Sequence, residues 1–421
     1  MIQKLDYLQN LGVTKLILSP VQDHANGMIY DPGRSWYLHT SVAGNDENID
    51  PFYAGISTSF QGHWTKDWYE LDEHFRDPTD EEADRLGVLA NLLDEAGTRG
   101  IGVLLEMDLN STSPVRNRQD YEPFQLQKGE QWLIDNGAVY QRGQLLAPYI
   151  DRLTLERDPA GWFHKPLEIN YSHVTEKMLE QGQVDQLPDL NQDIPEVRRY
   201  LLDAIRFWLT FNQRSIPIAG FYFNDIPHIS LDFWKDLESV ALSIDPDVIL
   251  ISHYPGAGYT NRKAINWYAK TDAYTWVNYS FSFSARHFFE RFRNWDGRTY
   301  VLRENSLGQR GQYFNYSPTV TLLHRLLNPS ESLEIPRSSL RHVQDQDARG
   351  WVNFIEHPDQ PRLLSQRPKV RDQAYASLLK FLFTSPGVPC FCMVLKPIWR
   401  FLTTLIIKVA MVWVGSPLIC L

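Results

Sequence analysis

At 421 residues the chain exceeds one ordinary small domain and suits a barrel with an insertion. A formal net charge of −10 leaves no basic surplus to neutralise phosphates, so a nucleic-acid partner is excluded. Apolar residues at 43% and aromatics at 13% supply a large core and exclude wholesale disorder. The 13 Trp and 20 Tyr suit a large core first and a sugar-stacking groove second. Cys390, Cys392 and Cys420 follow 389 residues with no cysteine, so neither a disulfide framework nor metal-type spacing is present. The start, Met1 to Asp6, carries no signal-peptide core, and the compartment stays unknown.

Ile2, Leu5, Leu8 and Leu11 recur at helical spacing, and Gly12 sits where a helix ends. Val13 to Leu18 reads as a short buried strand. Opening on a helix that runs straight into such a strand suggests that a preceding strand is missing. A polar loop is expected from Val21 to about Gly62. Thr79 and Glu82 have capping-box spacing, and Leu86, Leu89, Leu92 and Leu93 give the following helix its apolar face. Gly100 to Met107 is a strand that is apolar on both faces, as parallel sheets require. From 111 to 183 the alternation stops, while Trp132, Tyr140, Tyr149 and Trp162 argue against disorder; an inserted subdomain is expected.

Alternation then resumes. Pro195 opens a helix through Trp208, Gly220 to Phe223 is a strand, and Ser230 caps a helix to about Ser243. Val248 to Ser252 is the next strand. A helix near Ala285 to Phe292, a strand near Trp351 to Ile355, a helix near Arg371 to Phe383 and a strand Val388 to Cys392 follow. This is the βα repeat of a barrel or a doubly wound sheet. The run Phe401 to Val414 is too short and too charged for a membrane span.

Several segments, in order, resemble the α-amylase family (glycoside hydrolase family 13), over about residues 2 to 392. Lys4-Leu5-Asp6-Tyr7-Leu8 through Thr14, with Leu18-Ser19-Pro20-Val21, resembles its first helix and second strand. Gly62-His63-Trp64-Thr65-Lys66-Asp67-Trp68 is similar to its Tyr-His-Gly-Tyr-Trp segment, with Phe60 and Gln61 at the sugar-stacking tyrosine and histidine positions. Leu187-Pro188-Asp189-Leu190-Asn191 matches the segment that closes the inserted domain. Gly220-Phe221-Tyr222-Phe223-Asn224-Asp225-Ile226-Pro227-His228 falls on the strand with signature Gly-Phe-Arg-x-Asp-Ala-x-Lys-His, and Val388-Pro389 resembles the eighth strand.

The resemblance implies an α/β fold, a TIM-type (β/α)8 barrel lacking its first strand and last helix. Residues 1–110 and 184–392 would form the barrel domain, 111–183 a subdomain inserted after the third strand, and 393–421 an aberrant apolar tail. Codons for Phe391-Cys392-Met393-Val394-Leu395-Lys396, read from the last base of the Phe codon, can spell the family's Leu-Tyr-Gly-Thr-Glu. A frameshift near Cys392 is therefore expected, and the gene's own bases test it.

A retaining α-glycosidase needs a nucleophilic carboxylate and a protonated carboxylic acid across the scissile bond. By resemblance the nucleophile position is Asn224, whose amide cannot form the glycosyl ester. The acid position is His253, within Ile251-Ser252-His253-Tyr254. The third carboxylate is Asp359, with Pro358 at its neighbouring histidine. Glu106 replaces an aspartate, Ser111 a sugar-binding histidine and Tyr222 an arginine. The substrate-binding positions are Phe60, Gln61, Trp64, Ser111, Tyr222, His228 and Pro358. Asp225 should point away from the sugar by strand alternation, unless a turn swings it back, and Glu356 reads as a neighbour in a polar turn. The family's calcium would use Asn110, Asp189 and the His228 carbonyl; an N-cap or turn role for Asn110 and Asp189 is the plain alternative. The expected function is a catalytically impaired sugar-binding or vestigial homologue that takes an α-glucan or maltooligosaccharide. An active glycosidase or glucanotransferase with relocated carboxylates, and a non-enzymatic scaffold, are the alternatives.

Overall fold

Period-two alternation sorts the strand residues onto two apolar faces, and this decides how the sheet curls. In the computed structural model, β1 is Lys15–Leu18, β2 Gly102–Met107, β3 Gly220–Phe223 and β4 Ile249–Ser252. Next come β5 (Tyr274–Asn278), β6 (Val352–Phe354), β7 (Val388–Val394) and β8 (Val409–Trp413). Ile17, Leu104, Tyr222, Ile251, Val277, Val352, Phe354 and Cys390 pack together on the inner face. Leu16, Val103, Leu105, Phe221, Phe223 and Leu250 point the other way, into the layer shared with the helices. The structure describes residues 1–25, 28–30, 56–58, 62–72, 75, 85–113, 137–151, 154, 156–170, 175–184, 187–224, 226–253, 274–278, 282, 352–355, 382–383, 388–394 and 409–413.

Among these residues the sheet is a closed barrel, in the order β1-β8-β7-β6-β5-β4-β3-β2. Every pair from β1 through β2 to β7 is parallel, as in a βα repeat. The exception is β8, which runs antiparallel to both neighbours and aligns Val412 with Leu16 on one side and Phe391 on the other. Residues 409–413, within the segment expected to be an aberrant tail, thus stand in the wall beside β1, where a first strand was expected to be missing. The edges of β1 and β7 would each leave a row of unpaired N–H and C=O groups, and residues 409–413 pair with both. The expected last helix falls outside the described residues.

The helices start and stop where their end residues dictate. The first, α1 (Leu5–Asn10), ends at Gly12, whose φ of +85° suits a residue without a Cβ. Helix α2 (Gly87–Gly97) buries Leu89, Leu93 and Ala96; the capping box at Thr79 lies outside the described residues. Thr175 caps α3 (Glu176–Gln181) by accepting from the Met178 N–H. Helix α4 (Pro195–Thr210) has proline in its first turn, where no intrahelical donor is lost. Ser230 caps α5 (Leu231–Ile244) through the Phe233 N–H. Trp208 of α4 donates its indole N–H to the Trp68 carbonyl (2.7 Å), joining that helix to the strand Thr65–Leu71. The helix expected near 285–292 lies outside the described residues, as does all but 382–383 of the helix expected near Arg371 to Phe383.

That strand belongs to a second sheet. Gln22–His24 pairs antiparallel with Thr65–Leu71, which pairs parallel with Ala138–Gln141, and Gln144–Pro148 completes the order. Met28–Tyr30 and Ile56–Thr58 form a separate two-stranded ribbon. The segment expected to be a loop from 21 to 62 therefore carries short strands. Their pairing partners are distant in sequence, so no local pattern announces them.

Candidate active site and cation cluster

Strand parity places the rim residues. Leu104 faces inward on β2, so Glu106, two residues on, shares that side. Tyr222 and Ile251 face inward on β3 and β4, which brings Asn224 and His253 to the same side just past the strand ends. The backbone fixes both: Asn224 donates its N–H to the Met107 carbonyl (3.2 Å), and His253 to that of Phe223 (2.9 Å). All sit at the carboxyl ends of parallel strands, where barrels carry their chemistry.

There the Asn224 side-chain amide donates to Glu106 Oε1 at 2.7 Å. His63 completes the cluster, with Nδ1 3.4 Å from Asn224 Nδ2 and Nε2 3.9 Å from Glu106 Oε1. Asn224 is 5% and Glu106 8% exposed, so this hydrogen bond is made largely out of water. The His253 ring lies 5.2 Å from the Tyr222 ring. An amide can bind a hydroxyl but forms no ester, whereas a carboxylate can act as acceptor, base or nucleophile. Sequence reasoning noted Glu106 only as a replaced aspartate and His63 only within its motif. Their contact with Asn224 was readable in part from parity, since Leu104 and Glu106 share a face.

Four of the expected sugar contacts are buried. Tyr222, an expected substrate contact, is fully buried in the inner apolar cluster. Trp64 is 5% exposed and packs with Ala25, a small core cluster and not an open stacking face. The His228 ring is buried, with Nδ1 3.0 Å from the Leu179 carbonyl, and burial pushes its pKa down to about 4. The ring expected to bind sugar thus holds α3 through Leu179. Ser111 is buried in a β-bridge with Asp189. Phe60, Gln61, Asp225, Glu356, Pro358 and Asp359 lie outside the described residues.

Asn110, Asp189 and the His228 carbonyl lie side by side. The Asn110 carboxamide lies 2.8 Å from the His228 carbonyl and 3.1 Å from Asp189 Oδ1. With its nitrogen toward them it donates to both; with its oxygen toward them, three oxygens face one another. All three residues are buried. Asp189 Oδ2 meets His164 Nδ1 at 2.9 Å, and burial pushes the Asp189 carboxyl up to about 7 against that bond. Beside it Asp108 is pushed up to about 6 by burial, opposed by the N–H groups of Asn110 and Ser111. Among the described residues no group of three His, Cys, Asp or Glu side chains could hold a metal. A cation here would have to use amide and main-chain oxygens, which are hard ligands of the kind calcium takes.

The family model described as alpha amylase, catalytic domain, matches residues 1–307. A cyclomaltodextrinase of Geobacillus thermopakistaniensis is 24% identical over 290 residues, 69% of this chain and 36% of that protein. An α-amylase of Niallia circulans is 24% identical over 272 residues, 64% of this chain and 45% of that protein. The chain thus spans less than half the length of these curated relatives. Among solved structures, a cyclomaltodextrin glucanotransferase with a three-domain ABC distribution has a TM-score of 0.61 at 21% identity, covering 92% of this chain and 61% of that one. An acarbose-complexed α-amylase from Geobacillus thermoleovorans gives 0.53 at 20% identity, covering 92% and 62%. These likenesses show the barrel fold.

Proposed function

Because the chain belongs to the α-amylase family, matched over 1–307, we propose that it binds an α-glucan or maltooligosaccharide and is impaired in hydrolysing it. The observation that carries this reading is the amide of Asn224, hydrogen-bonded to Glu106 at the inner rim where the family has its nucleophile. His253 holds the acid position on the adjacent strand, and an imidazole there changes the proton chemistry of the leaving group. Among the described residues no helix is long and apolar enough to cross a membrane.

Isothermal titration with a maltooligosaccharide, run beside a reducing-sugar assay, tests this. Saturable binding with turnover several orders of magnitude below a working glycosidase is the expected result. Turnover at ordinary enzymatic rates would overturn it, and neither binding nor turnover would leave a scaffold.

The same reading includes a structural calcium held by the Asn110 amide oxygen, Asp189 and the His228 carbonyl. Its chemistry is to offset the burial of Asp189 and to tie the segment 187–191 to the barrel. Chelation should lower the thermal midpoint, and calcium at about a hundred times its Kd should restore about 2.7 kcal/mol. Asn110→Ala should abolish the calcium-dependent increment. An equal increment in that variant would remove the site.

A further inference from the structure

The rim has lost a carboxylate on β3, yet a carboxylate still stands beside that position. It reaches there from β2. Glu106 is buried, its Oε1 lies 2.7 Å from Asn224 Nδ2, and strand parity turns it toward the barrel's inner face. Glutamate is one methylene longer than aspartate, which lets a neighbouring strand deliver its oxygens to within a hydrogen bond of residue 224. The Asn224 side-chain amide holds the carboxylate in one orientation, as a charge-assisted bond does. His63, 30% exposed at its side chain, stands on the same pair with Nε2 3.9 Å from Glu106 Oε1.

We propose that Glu106 is the nucleophilic carboxylate of this rim, acting on glycosyl donors whose leaving group departs as an anion. The step balances without a general acid. A Glu106 oxygen donates an electron pair to the anomeric carbon, forming an ester. The bond to the leaving group breaks, and that group takes the bonding pair with no proton. Water then opens the ester, giving the free sugar, restoring the carboxylate and releasing a proton to solvent. Fluoride and phosphate esters meet this requirement, whereas the alkoxide of a glucan needs a proton as it leaves. With His253 at the acid position, these two classes of donor separate sharply. The inference rests on the glucan-binding reading for recognition of the sugar, and adds the donor class and the attacking atom.

The probe is an α-glucosyl fluoride carrying a second, ring fluorine that slows opening of the ester. Full-length protein is incubated with it, and intact mass, fluoride release and a peptide map are recorded. The expected result is one added glycosyl group, on the peptide containing Glu106, with fluoride released in step. Glu106→Gln should lower labelling by roughly a hundredfold or more. If that variant does not fold, the wild-type peptide map decides alone. An ester on another side chain, or none, overturns the inference. Titration of maltooligosaccharide in parallel separates the two readings. Bound glucan with no ester at Glu106 overturns this inference alone, and no bound glucan overturns the proposed function whatever the map shows.

Discussion

Replacing Gly220 with alanine is expected to prevent stable folding, with a cost of about 4 kcal/mol or more. A Cβ at this position would stand 1.9 Å from the Ile249 carbonyl oxygen and 2.8 Å from its backbone nitrogen. Both are main-chain atoms, so no rotamer change relieves the overlap. The φ of +148° adds a second penalty for any residue with a Cβ. Gly220 pairs with Leu104 on β2 and Ile249 on β4, so moving it away breaks two ladders together. Urea denaturation of Gly220→Ala beside Gly12→Ala measures the effect. Gly12 has φ +85° with nothing within 4 Å of its Cβ, and its replacement should cost only about 1 kcal/mol. Equal, small losses at both sites would mean that β3 and β4 do not meet in this register.

The second large effect is expected from Asn224→Asp, the substitution that puts an acid at the proposed nucleophile position. It would set two carboxylates at the distance now spanned by the 2.7 Å bond to Glu106. Like charges so close do not both ionise, and the pair keeps a proton to a higher pH than either acid alone. The folded-state pKa of the pair is thus raised above the unfolded values near 4. Such a shift leaves stability intact below the unfolded values and removes it as pH rises through the folded one. Asn224→Asp should match the native chain near pH 4 and fall about 2–4 kcal/mol below it at pH 7. Adding Glu106→Gln should return most of the loss. Denaturation midpoints of both variants across this range decide it, and a pH-independent difference would show that the two side chains do not share the rim. Adding His253→Glu to Asn224→Asp should still not give family-level turnover, because the Glu106 pair persists and Tyr222 fills the inner apolar cluster beside it.

The local signals were well placed in the chain. Gly12 ends α1, Pro195 opens α4 and Ser230 caps α5, because each acts through its own backbone or the next turn. The barrel strands carry apolar residues on both faces and were legible as parallel strands for that reason. Legibility failed where pairing is remote. The strand Gln22–His24 has three residues and finds its partner at Thr65–Leu71, so no periodicity marks it. Residues 409–413 close the wall by pairing with strands at both ends of the chain. Motif position alone points Trp64, Tyr222 and His228 toward a sugar, and in the fold all three are buried, His228 with its ring on the Leu179 carbonyl.

The chain's own pattern determined the alternation of strands and helices, and the presence of an amide and an imidazole at two rim positions. Those are properties of short segments, set by side-chain period and end-capping within a few residues. Only the barrel's register decided that Glu106, 118 residues from Asn224, would become its hydrogen-bond partner. Register also brought the Asn110 amide against Asp189 and the His228 carbonyl. A parallel sheet joins strands through long crossovers, so which side chains share its rim depends on how every ladder aligns and on no single stretch of residues.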